Sequence, residues 1–123
     1  MAKILIVEDE TPLRQALYDK LKREGFNPLQ AKNGEEGLDM ALTERPDLIL
    51  IDIIMPVMDG MTALKYLRND EWGKKVPVIV LTNLSDANNV STALENGAYD
   101  FLVKSDWSLA DLITLIKKKL GIS

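Results

Sequence analysis

Short apolar runs alternate along this chain with stretches of helical period, and few architectures accommodate that alternation. A strand apolar on both faces must be covered on both, so the pattern implies a parallel sheet between two layers of helices. Ile4-Leu5-Ile6-Val7 is too short for a helix, is rich in β-branched residues, and reads as a buried strand. Thr11 as cap and Pro12 in the first turn predict a helix entry. Leu13, Ala16, Leu17 and Leu21 give that helix one apolar face, and Gly25 stops it. Pro28 to Ala31 reads as a weaker strand whose proline and polarity suit a sheet edge.

Asn33-Gly34 opens a second helix, with Leu38, Ala41 and Leu42 inward and Arg45-Pro46 ending it. Leu48-Ile49-Leu50-Ile51 is the most hydrophobic run and predicts a central strand. A third helix is expected from about Gly60 to Arg68, a fourth strand at Val78-Ile79-Val80-Leu81, and a polar fourth helix from Ser85 to Asn96. Phe101-Leu102-Val103 predicts a last short strand. The final helix places Ser108 and Asp111 in capping-box positions and Leu109, Leu112, Ile113, Ile116 and Leu120 on its buried face. The expectation is one α/β domain over residues 1–123, with a doubly wound, five-stranded parallel sheet and five helices.

Composition narrows the function classes. The 123 residues are 46% hydrophobic and 28% charged, as expected of a soluble globular domain. No apolar run approaches the roughly 20 residues of a membrane span, and Met1-Ala2-Lys3 leads straight into a four-residue apolar run, so neither a membrane nor a secretory signal is read. With no cysteine there are no disulfides and no thiolate metal site, which fits a cytoplasmic protein. The absence of histidine removes His-based acid–base catalysis, His metal sites and phosphohistidine chemistry within the chain. Net charge is −4 and the 15 basic residues are scattered. Lys117-Lys118-Lys119 falls where the last helix should end, where the helix dipole favours cations, so direct nucleic-acid binding is not expected.

The polar residues at the strand ends carry the functional argument. The first strand runs into Glu8-Asp9, the third into Asp52, the fourth into Thr82 and the fifth into Lys104. Open parallel sheets bind ligands at the carboxyl ends of their strands, near the point where strand order reverses. If the order is 2-1-3-4-5, taken over from known doubly wound sheets, all five side chains converge on one pocket. Three carboxylates there repel one another, and a hard divalent cation with oxygen ligands, such as Mg2+, resolves the repulsion. Lys104 adds a second positive charge and Thr82 a hydroxyl donor. Metal, cation, donor and nucleophile together can stabilise a phosphoryl group on a carboxylate. Taken singly, each residue has an ordinary explanation as a solvated acid, a helix-start threonine or a surface lysine. The conjunction at one end of four strands points to the site.

At these residues the chain resembles the response-regulator receiver domains of two-component signalling, over essentially its whole length. Asp52-Ile53-Ile54-Met55-Pro56-Val57-Met58-Asp59-Gly60 is similar to the family's phosphoacceptor segment with its Met-Pro and Asp-Gly turn. Val7-Glu8-Asp9-Glu10, Val80-Leu81-Thr82, Asn96-Gly97-Ala98 and Phe101-Leu102-Val103-Lys104 match in order and at compatible spacing. The resemblance implies a flavodoxin-like fold with strand order 2-1-3-4-5. It implies that Asp52 takes a phosphoryl group from the phosphohistidine of a histidine kinase or phosphotransfer protein. It further implies Mg2+, or Mn2+ in its place, bound directly by Asp9 and Asp52, through water by Glu8, and by the backbone carbonyl of Ile54. Thr82 would hydrogen-bond the phosphoryl oxygen, Lys104 would pair with it, and Phe101 would be the switch aromatic, with simple core packing as its ordinary alternative. The implied output surface is the fourth helix, fifth strand and fifth helix, about Ser85 to Leu120. It would be read by an unknown downstream protein, with the chain a monomer or a weak phosphorylation-dependent dimer.

The departures from the family pattern carry expectations of their own. Ser105 stands where the family usually has proline, and a cis bond before a non-proline costs about 2.5–4 kcal/mol, so a trans Lys104–Ser105 bond is expected. That leaves the loop into the last helix free to take a different path, with Trp107 close by. Asn83 after Thr82 is bulkier than the family's usual small residue. Ile54 and Leu84, which by resemblance flank the site, are apolar and cannot orient a hydrolytic water, so slow autodephosphorylation is expected rather than enzymatic turnover. A flavin-binding flavodoxin is disfavoured because Glu8-Asp9-Glu10 would repel a phosphate dianion where such a protein needs a phosphate cradle. A metal-dependent phosphohydrolase would want a second acid where Ile54 stands. A degenerate receiver that works only as a phosphorylation-independent interaction module stays open, chiefly because of Ser105.

Overall fold

A computed structural model describes residues 2–82, 100–103 and 108–122, and for Thr82 and residues 100–103 it is the backbone that is described. Five strands run β1 Lys3–Val7, β2 Asn27–Ala31, β3 Leu48–Asp52, β4 Val78–Thr82 and β5 Asp100–Val103. Helices α1 (Thr11–Arg23), α2 (Gly34–Glu44) and α3 (Gly60–Arg68) follow the first three strands, and a C-terminal helix spans Leu109–Leu120. The strands form one parallel sheet in the order β2-β1-β3-β4-β5, the doubly wound, flavodoxin-like order expected. The expected fourth helix from Ser85 to Asn96 lies outside the described residues.

Side chains alternate across the sheet with the period of two that a pleated strand imposes. Leu5, Val7, Ile49, Ile51, Val78 and Val80 point to the side covered by α2 and α3, where Ala41, Ala63, Leu64 and Leu67 meet them. Ile4, Ile6, Leu48, Leu50, Ile79 and Leu81 point to the other side, against Leu17 and Leu21 of α1 and Leu112, Ile113 and Ile116 of the C-terminal helix. Because both faces are covered, β3 is buried at all five positions. β2 is an edge strand, which is why Pro28 is tolerated there.

Local signals set the helix ends, with two departures from the sequence reading. Asn33 caps α2 by accepting from the Glu36 N–H at 2.8 Å, and Ser108 and Asp111 form the expected capping box. In α1 the cap is Glu10 rather than Thr11: the first helical bond runs from the Arg14 N–H to the Glu10 carbonyl, which draws Thr11 into the first turn. Leu42, expected inward, is 39% exposed. The reason is the closeness of α2 to the sheet. Gly34, Gly37 and Ala41 face inward, and a Cβ on Gly37 would stand 2.7 Å from the Val7 side chain, so the bulkier Leu42 is turned to the flank.

Candidate functional site

Each of the three acids owes its place to a strand end. β1 and β3 are paired with Val7 beside Ile51, so the next step of the register brings Glu8 to Asp52. Asp52 shares its strand parity with Leu48 and Leu50, on the α1 side of the sheet. Carboxylate oxygens of Glu8, Asp9 and Asp52 lie within 4.8 Å of one another, which makes a donor set for a hard cation. Glu8 is 0% and Asp52 5% exposed, whereas Asp9 sits half-buried. Burying two acids beside a third without compensation is unfavourable, so this is not an ordinary strand end.

The turn after β1 is pinned through Glu8. Its N–H donates to the Ala31 carbonyl at 3.0 Å, its Oε2 accepts from the Glu10 N–H at 3.0 Å, and its carbonyl accepts from Arg14 Nη1 at 2.9 Å. Arg14 Nε also donates to Gln30 Oε1 on β2 at 3.0 Å.

The turn after β3 is held by backbone. The Gly60 N–H donates to the Ile53 carbonyl at 2.7 Å and the Gly34 N–H to the Met58 carbonyl at 2.8 Å. A Cβ on Gly60 would fall 2.1 Å from the Asp52 carbonyl oxygen, and one on Gly34 would fall 2.3 Å from that of Met58. Between these clamps the Met58 N–H donates to the Pro56 carbonyl at 2.8 Å across Val57, whose φ is +69°. That is a γ-turn on a β-branched residue, a conformation costing of order 1–3 kcal/mol. Asp59 caps α3 by accepting from the Thr62 N–H at 2.8 Å.

Asp52 lies opposite Leu81 in the β3–β4 register, so Thr82 follows one residue beyond at the same end of the sheet. Phe101 lies in β5 opposite Val80. Lys104, Ser105 and Trp107, with Asn83 and Leu84, are outside the described residues. Ile54 follows Asp52 by two residues and is 56% exposed, while Ile53 and Met55 on either side are buried. Reading the sequence missed Arg14 and Gln30, because a side-chain contact between α1 and β2 has no local signature. The Asp59-Gly60 turn was legible, but the close approach of Gly60 to Asp52 was not.

A parallel sheet of this order with an acidic cluster at the carboxyl ends of β1 and β3 defines a class, and comparison with known proteins places the chain within it. Residues 4–117 match the response regulator receiver domain family, and the chain belongs to that family. A probable transcriptional regulator ycf27 from Porphyridium aerugineum is 39% identical over 102 residues, covering 83% of this chain and 41% of that protein. The signal receiver domain of a signal transduction histidine kinase from Syntrophus aciditrophicus superposes with a TM-score of 0.89 at 36% identity, covering 98% of this chain and 91% of that one. The receiver domain of a sensor histidine kinase from Pseudomonas aeruginosa, with magnesium coordinated in its active-site cleft, superposes at 0.86 with 30% identity, covering 98% of each chain. The chain spans half or less of the length of the curated relatives it matches. No helix among the described residues is long and apolar enough to cross a membrane.

Proposed function

We propose that this receiver domain, spanning residues 1–123, is a cytoplasmic phosphorylation switch in which Asp52 accepts a phosphoryl group from the phosphohistidine of a histidine kinase or phosphotransfer protein. The observation that carries the reading is the cluster of Glu8, Asp9 and Asp52 oxygens within 4.8 Å, with Glu8 and Asp52 buried. In the transfer an Asp52 oxygen attacks phosphorus, the phosphorus–nitrogen bond breaks, and the imidazole leaves with the electron pair. An acyl phosphate remains on Asp52.

The cluster fits Mg2+, or Mn2+ in its place. Three carboxylate oxygens within 4.8 Å of one another suit a hard divalent cation, which takes oxygen ligands and keeps several waters. By the family resemblance Asp9 and Asp52 would bind the ion directly, Glu8 would act through water, and the Ile54 carbonyl would complete the set. When bound, the ion supplies positive charge to the phosphoryl oxygens. The magnesium in the active-site cleft of the Pseudomonas receiver supports a metal ion at this cluster. Thr82 donates to a phosphoryl oxygen, Lys104 pairs with it, and Phe101 turns as Thr82 moves. Ile54 offers no group to activate water, so the acyl phosphate decays slowly and the chain acts as a switch rather than an enzyme. The surface from about Ser85 to Leu120 then engages a downstream protein, a local charge event biasing a bistable element.

Incubation with a small phosphodonor and Mg2+ is expected to add one phosphoryl group by intact mass, abolished by Asp52→Asn and by chelation. An unmodified native protein would overturn the reading, and signalling in cells that survives Asp52→Asn would favour an interaction module that works without phosphorylation.

A further inference from the structure

We propose that Arg14 is a positioning residue for the metal site, acting through the Glu8–Asp9 peptide, with Gln30 holding its guanidinium. The inference rests on the metal-binding reading of the acidic cluster. Glu8 and Asp52 are buried and set by the ends of paired strands, but Asp9 lies beyond β1 and is half-buried. Among the described residues no hydrogen bond holds the Asp9 side chain, so its direction follows from its backbone. That backbone is set by the peptide plane joining Glu8 to Asp9, whose oxygen accepts from Arg14 Nη1 at 2.9 Å. Arg14 could not hold the plane while swinging freely, and its Nε bond to Gln30 Oε1 at 3.0 Å removes that freedom. The guanidinium fork therefore spans from β2 to the end of β1, and Asp9 is aimed by a residue five positions further along the chain.

Two effects of Arg14 on cation affinity have opposite signs. The positive charge that Arg14 brings to the Glu8 carbonyl works against a bound cation, whereas fixing Asp9 strengthens its binding. Lysine separates them, because it keeps the charge but cannot make both bonds of the fork. Gln30→Ala is a second probe, leaving the Arg14 charge in place and freeing its guanidinium.

Calorimetric Mg2+ titration of the native protein, Arg14→Lys and Gln30→Ala decides the matter, read together with phosphorylation rate against Mg2+ concentration and with melting in chelator. Outer-shell partners of metal ligands are worth about 10–100-fold in affinity, so Arg14→Lys should weaken Mg2+ about tenfold and Gln30→Ala by a few-fold. The phosphorylation rate at saturating Mg2+ and the metal-free melting temperature should stay near native. Native-like Mg2+ affinity in Arg14→Lys overturns the positioning role and leaves the metal site standing. A lowered rate at saturating Mg2+ would overturn it as well, by showing damage beyond the aim of Asp9. If the native protein binds no Mg2+, the metal reading falls first and the inference with it.

Discussion

In the turn after β1, side chains reach to backbone: the Glu8 carboxylate takes the Glu10 N–H, and Arg14 takes the Glu8 carbonyl while anchored to Gln30. In the turn after β3, backbone meets backbone, through Gly60 on Ile53, Gly34 on Met58 and Met58 on Pro56. Both turns deliver a carboxylate to the same cluster. A side chain can change rotamer when a neighbour changes, so the first turn tolerates substitution at some cost in aim. Packed backbone has no such freedom, and there an added methyl group must move a helix or a strand end. The first turn should thus fail by losing metal affinity and the second by losing stability.

The severest test of that contrast is Gly60→Ala. Its new Cβ would meet the Asp52 carbonyl oxygen at 2.1 Å, a backbone atom with no rotamer to yield. A loss of about 3 kcal/mol is expected, seen as a lower urea midpoint at unchanged slope. A loss well under about 1 kcal/mol would mean that α3 slides freely on the sheet, and the contrast would collapse. Next comes Asp59→Ala, which removes the cap accepting from the Thr62 N–H at 2.8 Å. It should cost about 1 kcal/mol, a drop of a few degrees in Tm by calorimetry.

The smallest effect has the opposite sign. Val57 is 76% exposed at a φ of +69°, and its side chain fills no part of the core. Glycine there relieves the strain but adds freedom to the unfolded chain, so Val57→Gly should gain about 0.5 kcal/mol. A clear loss in denaturant melts would show that the valine side chain has a packing role after all. Arg14→Lys, by comparison, should stay within about 0.5 kcal/mol of native stability while weakening the metal.

Much of the fold is legible without coordinates. The buried runs in β1, β3 and β4, the Asn33 cap, the Ser108–Asp111 capping box and the boundaries of α3 all stand as expected, because each is decided within a few residues by side-chain period or by satisfying orphan N–H groups. Leu42 and Thr11 show where that reach ends. Helical period says which residues share a face, but the face of α2 was chosen by how closely Gly34 and Gly37 let it approach the sheet. The start of α1 was set by which carbonyl Arg14 could bond.

For the site, the sequence alone determined that Glu8, Asp9 and Asp52 stand at strand ends, since an apolar run must stop where its backbone leaves the core. Only the tertiary structure decided that those ends are neighbours, because strand order depends on how the helices pack across the sheet and not on any short stretch of chain. The same holds for what aims them. Arg14 meets Gln30, 16 residues away, and Gly60 meets Asp52 only after β1, β2, β3 and α3 have docked, which is contact chemistry that no local pattern encodes.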